Sequence, residues 1–158
     1  MKLKLLTAAL LLACGALQAQ TVDVSGAWAR ATVPGQKGTG AFMSITARDG
    51  ASLVGVSSPV AGVAEVHEMK MEGDIMKMRA VPVLDLPAGQ TVQLKAGGYH
   101  LMLMELKQPL PKGSKLPLTL HFKDAKGAES QLELTLPVAT VAPGKADDKK
   151  GQHGSHQH

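Results

Sequence analysis

The stretch Leu116-Pro117-Leu118-Thr119-Leu120-His121-Phe122 places a large apolar side chain at every second position. After the turn sequence Asp124-Ala125-Lys126-Gly127, the alternation resumes with Leu132, Leu134 and Leu136. Side chains of an extended strand point alternately to its two faces, so this period predicts strands that are buried on one face only. Two such strands joined by a short turn predict an antiparallel hairpin.

Short apolar segments separated by turn residues continue from this hairpin back towards the N-terminus. Pro34-Gly35, Asp49-Gly50 and Gly97-Gly98 are turn signals, and the sequence contains neither heptads nor sustained helical periodicity. The segment 81–86 is predicted to be irregular, because Pro82 cannot donate to a strand ladder. We therefore predict an all-β fold, an antiparallel β-sandwich of the cupredoxin-like or immunoglobulin-like type.

Residues 1–19 have the features of a signal peptide. Lys2 and Lys4 precede an apolar run over residues 5–13, and small residues follow it. We expect cleavage at the end of this segment and export to the periplasm, with one domain over residues 20–142. The run is too short to span a bilayer as a stable anchor.

Cys14 offers an alternative, because Leu11-Leu12-Ala13-Cys14-Gly15 resembles a lipoprotein processing box. Lipidation at Cys14 would tether the protein to a membrane, and we expect membrane association only in that case. We favour cleavage after Ala19, since the apolar run before Cys14 would be unusually short.

The chain has a formal charge of +4 but no basic stripe interleaved with aromatic residues, which argues against nucleic-acid binding.

Six of the eight methionines and two histidines fall between positions 67 and 104. They are His67, Met69, Met71, Met76, Met78, His100, Met102 and Met104. Thioether sulfur is a soft ligand and imidazole a borderline one, so this cluster suits copper, above all Cu(I), better than zinc, calcium or magnesium. An electron-transfer cupredoxin would need a cysteine ligand, which the predicted domain lacks. No catalytic constellation is visible, and we expect a protein that is not an enzyme.

A two-residue hairpin loop at Gly73-Asp74 would gather the sulfurs on one face. In that register Met69 lies opposite Met78, and His67 is a diagonal neighbour of Met78. A three-residue loop over 72–74 would instead turn Met78 away from His67. We favour the two-residue loop because it brings the sulfurs together.

The remaining methionines of the cluster are candidates for auxiliary ligands, namely Met69, Met71, Met76 and Met104. Methionine also fills irregular cores, and only 3% of this chain is aromatic. Each of these four side chains, taken alone, therefore also fits a packing role.

At the C-terminus, residues 143–158 form a polar tail that we expect to be disordered without a ligand. Its three histidines, His153, His156 and His158, indicate a flexible metal-binding tract suited to Cu(II), Ni(II) or Zn(II). A solvated tail without a metal is the alternative.

The spacing of the cluster resembles that of the periplasmic PCuAC copper chaperone family. His67 is followed after ten residues by Met78, and after twenty-one more by His100-Leu101-Met102. The segments Trp28-Ala29-Arg30-Ala31 and Ala41-Phe42-Met43 also look like the first strands of that family. The resemblance covers essentially the whole predicted domain. It implies a cupredoxin-like sandwich that binds Cu(I) through His67, Met78, His100 and Met102.

The resemblance also implies partners. Family members are implied to deliver copper to the CuA or CuB centre of cytochrome c oxidase, in concert with Sco-type thiol proteins. Some members carry a His- or Met-rich extension that binds a second copper as Cu(II), which the tail resembles, although this tail contains no methionine. We expect a monomer. The alternatives are a periplasmic copper storage or resistance protein, and a β-sandwich interaction module that binds no metal.

Overall fold

The computed structural model describes residues 21–144, which form ten strands. The strands are β1 (Val22–Arg30), β2 (Gly38–Ala47), β3 (Ala51–Ser57), β4 (Ala61–Glu72), β5 (Ile75–Ala80), β6 (Leu84–Leu86), β7 (Thr91–Leu94), β8 (Tyr99–Leu106), β9 (Lys115–Lys123) and β10 (Glu129–Ala139). Within residues 21–144 no helix has the length and apolar character needed to cross a membrane.

The strands form two sheets that enclose one core. The first runs β5-β4-β8-β2-β1, with β7 also paired to β2, and the second runs β10-β9-β3-β6. The sheets are joined where β1 runs parallel to β10, at Ala29↔Val138 and Arg30↔Ala139. The predicted all-β sandwich of cupredoxin-like type is confirmed, and this short parallel pair is its one departure from antiparallel pairing among the described strands.

The core contains the alternating side chains that predicted the fold. On β9, Leu116, Leu118, Leu120 and Phe122 are all buried, and the register Leu120↔Leu132 confirms the C-terminal hairpin. They pack with residues of the first sheet that include Ile45, Leu101 and Leu103. Each fully buried leucine contributes about 1.5–3 kcal/mol relative to an exposed one, so this layer accounts for a large share of the stabilisation.

The β4–β5 hairpin has the predicted two-residue loop. Met69 pairs with Met78 and Met71 with Met76, and Gly73 adopts φ +63°. A positive φ at the first loop residue is what glycine supplies in this type of turn. The register therefore places the hairpin sulfurs on the face that carries His67.

The segment 81–86 departs from its prediction. Leu84–Leu86 forms the short strand β6, which pairs with β3 and buries Leu84 and Leu86. Pro82 lies before this strand and therefore removes no donor from its ladder. Pro82 therefore does not prevent the strand from forming.

Candidate metal centre

The two histidines of the cluster lie side by side on the outer face of the first sheet. His67 on β4 pairs directly with His100 on β8, and their ring centroids are 6.1 Å apart. The neighbouring pair, Val66 and Leu101, is buried in the core. Because side chains alternate along a strand, the burial of that pair directs both imidazoles away from the core.

Met78 reaches this histidine pair from β5. Its Sδ atom lies 3.2 Å from Nε2 of His100. The other ring nitrogen of His100, Nδ1, is 3.0 Å from the carbonyl oxygen of Gly98. A carbonyl only accepts hydrogen bonds, so Nδ1 is the donor, and Nε2 of the neutral ring carries its lone pair towards the sulfur. Two electron-pair donors thus face one another.

His67 has the opposite arrangement of its ring nitrogens. Nε2 lies 2.9 Å from a carboxylate oxygen of Glu65, two residues earlier on the same face of β4. Nδ1 is buried and has no hydrogen-bond partner among the described residues. An unsatisfied buried polar atom costs about 1–3 kcal/mol. A bound ion would remove that cost.

Met102 follows His100 on the same face of β8. It pairs with Glu65 on one side and with Gly40 on the other, and it is half-buried. Met104 lies one further step away, between Val63 and Gly38. The register thus places Met102 beside the histidine pair and Met104 beyond it.

The other auxiliary candidates lie further out on the hairpin. Met69 lies opposite Met78, whereas Met71 and Met76 face each other next to the loop, where both are exposed. Residues His153, His156 and His158 lie outside the described residues, as does Cys14, so the expectations placed on them stay predictions.

An aromatic wall borders the cluster on the side of Met102. The ring of Phe42 covers Gly40, the partner of Met102, so closely that a Cβ atom on Gly40 would lie 2.9 Å from Cζ. Trp28 packs on Phe42 with ring centroids 5.0 Å apart, and the Arg30 guanidinium lies 5.3 Å from the centre of the Phe42 ring. The aromatic side chains therefore lie on the β2 side of the cluster, and β5 lies on the other side.

The donors that the fold brings together are imidazole nitrogen and thioether sulfur. In residues 21–144, no group of three or more His, Cys, Asp or Glu side chains is arranged to hold a metal ion. Neutral nitrogen and sulfur donors fit a soft cation such as Cu(I). Glu65 was not identified from the sequence as part of the site. Its position two residues before His67 in a strand, which puts it on the same face, was the signal that could have found it.

Comparison with known proteins identifies the family. Residues 22–138 match the family described as "Putative lipoprotein LpqE-like". The chain belongs to the LpqE-like family. One relative, "Putative lipoprotein Lxx21020" of Leifsonia xyli subsp. xyli (strain CTCB07), is 37% identical over 108 residues. That match covers 68% of this chain, and the chain spans 65% of the length of the relative.

Solved structures share the fold of this LpqE-like chain. The solution structure of apo-DR1885 from Deinococcus radiodurans is 32% identical, with a TM-score of 0.58, over 89% of this chain and 93% of that chain. The Cu(I) form of DR1885 is 28% identical, with a TM-score of 0.57, over 80% and 82% of the two chains. The copper-bound PCuAC domain from PmoF2, at 20% identity, covers 77% of this chain and 94% of that chain with a TM-score of 0.58. The resemblance to the PCuAC family is thereby confirmed.

Proposed function

We propose that this protein is an exported copper carrier that binds one Cu(I) through His67, Met78, His100 and Met102. The observation that carries the proposal is the 3.2 Å approach of the Met78 sulfur to Nε2 of His100, whose other ring nitrogen lies 3.0 Å from the Gly98 carbonyl oxygen. Nδ1 of His67, which is buried and has no hydrogen-bond partner among the described residues, is a second nitrogen that could donate an electron pair to a metal ion. The likeness to the Cu(I) form of DR1885 supports Cu(I) as the bound ion.

The exposure of the ligands suits a carrier. His100 is 7% exposed, whereas Met78 is 49% exposed on the outermost strand of its sheet. Two imidazoles and two thioethers add no charge, which favours Cu(I) over Cu(II). In this proposal the buried histidine anchors the ion, and the exposed thioether is displaced when a thiolate or imidazole of an acceptor arrives.

The acceptor we propose is the copper subunit of cytochrome c oxidase, for assembly of its CuA or CuB centre, with Sco-type thiol proteins as partners. Incubation of the Cu(I)-loaded protein with the isolated copper-binding domain of that subunit should move copper to the acceptor. Copper that stays bound would favour storage or resistance instead.

The names of the matched family and of the relative, both described as putative lipoproteins, support export. Incorporation of radiolabelled lipid, measured in the wild type and in Cys14→Ser, separates tethering at Cys14 from cleavage after Ala19.

Anaerobic Cu(I) titration against a competing chelator tests the body site, with Met78→Leu compared with Met76→Leu. Both residues lie on the same face of β5 and are about half exposed, so either change removes one thioether at a similar cost in stability. Met78→Leu should weaken Cu(I) binding by at least roughly tenfold, since even the loss of an outer-shell partner costs ~10–100-fold. Met76→Leu should bind as wild type. Equal affinities for the two variants would contradict the assignment of Met78.

We also propose a second, Cu(II) site in the tail, formed by His153, His156 and His158. Truncation of residues 145–158 should remove Cu(II) binding at neutral pH and leave Cu(I) binding by the body unchanged, because the two sites share no ligand. Isothermal titration with each ion reads both effects. Unchanged Cu(II) stoichiometry in the truncated protein would show that the tail holds no copper.

A further inference from the structure

Glu65 lies against the proposed copper site without belonging to its ligand set. Its carboxylate Oε2 is 2.9 Å from Nε2 of His67, and the two side chains share the outer face of β4. The side chain of His67 is 12% exposed and that of Glu65 is 45% exposed. The carboxylate is therefore partly exposed to solvent, and it contacts the Nε2 edge of the imidazole from the position opposite Met102 on β8.

The hydrogen bonds of the two histidines determine which nitrogen of each ring carries a proton. An ionised carboxylate only accepts, so His67 donates from Nε2 to Glu65, and its Nδ1 holds the lone pair. His100 donates from Nδ1 to the Gly98 carbonyl, so its Nε2 holds the lone pair. The rings thus present different nitrogens, and both lone pairs lie on atoms with no hydrogen-bond donor among the described residues.

We infer that Glu65 is a positioning residue that fixes the tautomer of His67, so that Cu(I) binds His67 through Nδ1 and His100 through Nε2. This inference rests on the proposed function. A histidine that binds a metal through one ring nitrogen has an N–H on the other. A carboxylate that accepts this N–H fixes the orientation of the ring and raises the basicity of the ligand, and loss of the carboxylate typically weakens metal binding by ~10–100-fold. Glu65 also adds a negative charge next to a site whose proposed ligands are all neutral.

Long-range 1H–15N correlation spectra read the tautomers directly, in the apo protein and after anaerobic addition of Cu(I). We expect apo His67 protonated at Nε2 and apo His100 protonated at Nδ1. Cu(I) should then shift the 15N resonance of Nδ1 in His67 and of Nε2 in His100. A Cu(I)-induced shift that is larger at Nε2 of His67 than at its Nδ1, or apo His67 protonated at Nδ1, would overturn the inference.

Glu65→Gln is the matching variant, with Glu68→Gln as its control. The amide of Gln both accepts and donates, so His67 should populate both tautomers, and Cu(I) affinity should fall roughly tenfold or more. Glu68 pairs with Arg79 on the opposite face of the same strand, so Glu68→Gln should leave the His67 spectrum and the affinity unchanged. If the two variants behave alike, Glu65 has no positioning role.

These experiments separate the inference from the function on which it rests. A wild-type protein that fails to bind Cu(I) in the titration would end the copper-carrier proposal and the inference together. A wild-type protein that binds Cu(I) with His67 coordinated through Nε2 would end the inference alone. The apo spectrum needs no copper and tests the tautomer by itself.

Discussion

At the scale of single residues, Met102 and Met104 differ by one step along the same face of β8. Each step of two residues moves a side chain about 6.6 Å along the strand, so Met104 is displaced from His100 by twice the distance of Met102. Both side chains are half-buried, which makes them a matched pair. The proposed site uses the nearer one.

We therefore expect Met102→Leu to weaken Cu(I) binding by at least roughly tenfold, whereas Met104→Leu binds as wild type. Leucine conserves the volume of methionine, so each change should lower the free energy of unfolding by less than about 1.5 kcal/mol. Chelator competition and urea denaturation measure the two quantities separately. A larger loss of affinity in Met104→Leu than in Met102→Leu would show that Met104, and not Met102, supplies the sulfur ligand on β8.

Residue type and spacing predicted the histidines and methionines but not Glu65. A glutamate two residues before a histidine in a strand shares its face, but the spacing alone does not show that the two side chains are hydrogen-bonded. The pairing of Gly40 with Met102, which brings Phe42 beside the site, could not be predicted either. Pairing of β2 with β8 joins residues about sixty positions apart, and nothing local in the sequence specifies that register.

At the scale of elements, the contact between β4 and β8 depends on Gly62. A Cβ atom on Gly62 would lie 2.8 Å from Cβ of Glu105, which itself adopts φ +53°. Positive φ is costly for residues other than glycine. Among the described residues, Glu105 is the one non-glycine residue with a positive φ. The pair therefore marks a tight place in the ladder that holds His67 against His100.

Gly62→Ala should lower the free energy of unfolding by about 1–3 kcal/mol through overpacking. In a Glu105→Gly background the same change should cost less than about 1 kcal/mol, because the opposing Cβ is gone. Gly55→Ala is a control, since its Cβ would meet His121 at an ordinary 3.6 Å. Urea denaturation of the four variants measures these differences, and additive costs of the Gly62 and Glu105 changes would refute the contact.

Local elements followed closely from the sequence where turn chemistry is specific. Gly73-Asp74 suits a two-residue turn that needs glycine first, and the gathering of the sulfurs on one face favoured that register over the three-residue loop. The strand β6 was missed because three residues give too little period to separate a strand from irregular chain. Its identity depends on pairing with β3, which the local sequence does not encode.

At the scale of the whole molecule, the sandwich gathers donors from three neighbouring strands. The order β5-β4-β8 places Met78, His67 and His100 on successive strands, although β8 follows β5 only after β6 and β7. Alternation in Leu116–Phe122 predicted a half-buried hairpin, and the many short strands separated by turn residues predicted a two-sheet fold. Neither pattern could predict the strand order, because order depends on how the sheets close around the core.

The central claim is that this strand order puts two imidazoles and two thioethers around one Cu(I). X-ray absorption at the copper edge of the anaerobically Cu(I)-loaded protein tests it most directly. We predict a Cu(I) edge with both nitrogen and sulfur scatterers, and a smaller sulfur contribution in Met78→Leu and in Met102→Leu, each of which keeps one of the two thioethers. A first shell of nitrogen and oxygen alone, unchanged by either substitution, would contradict the account.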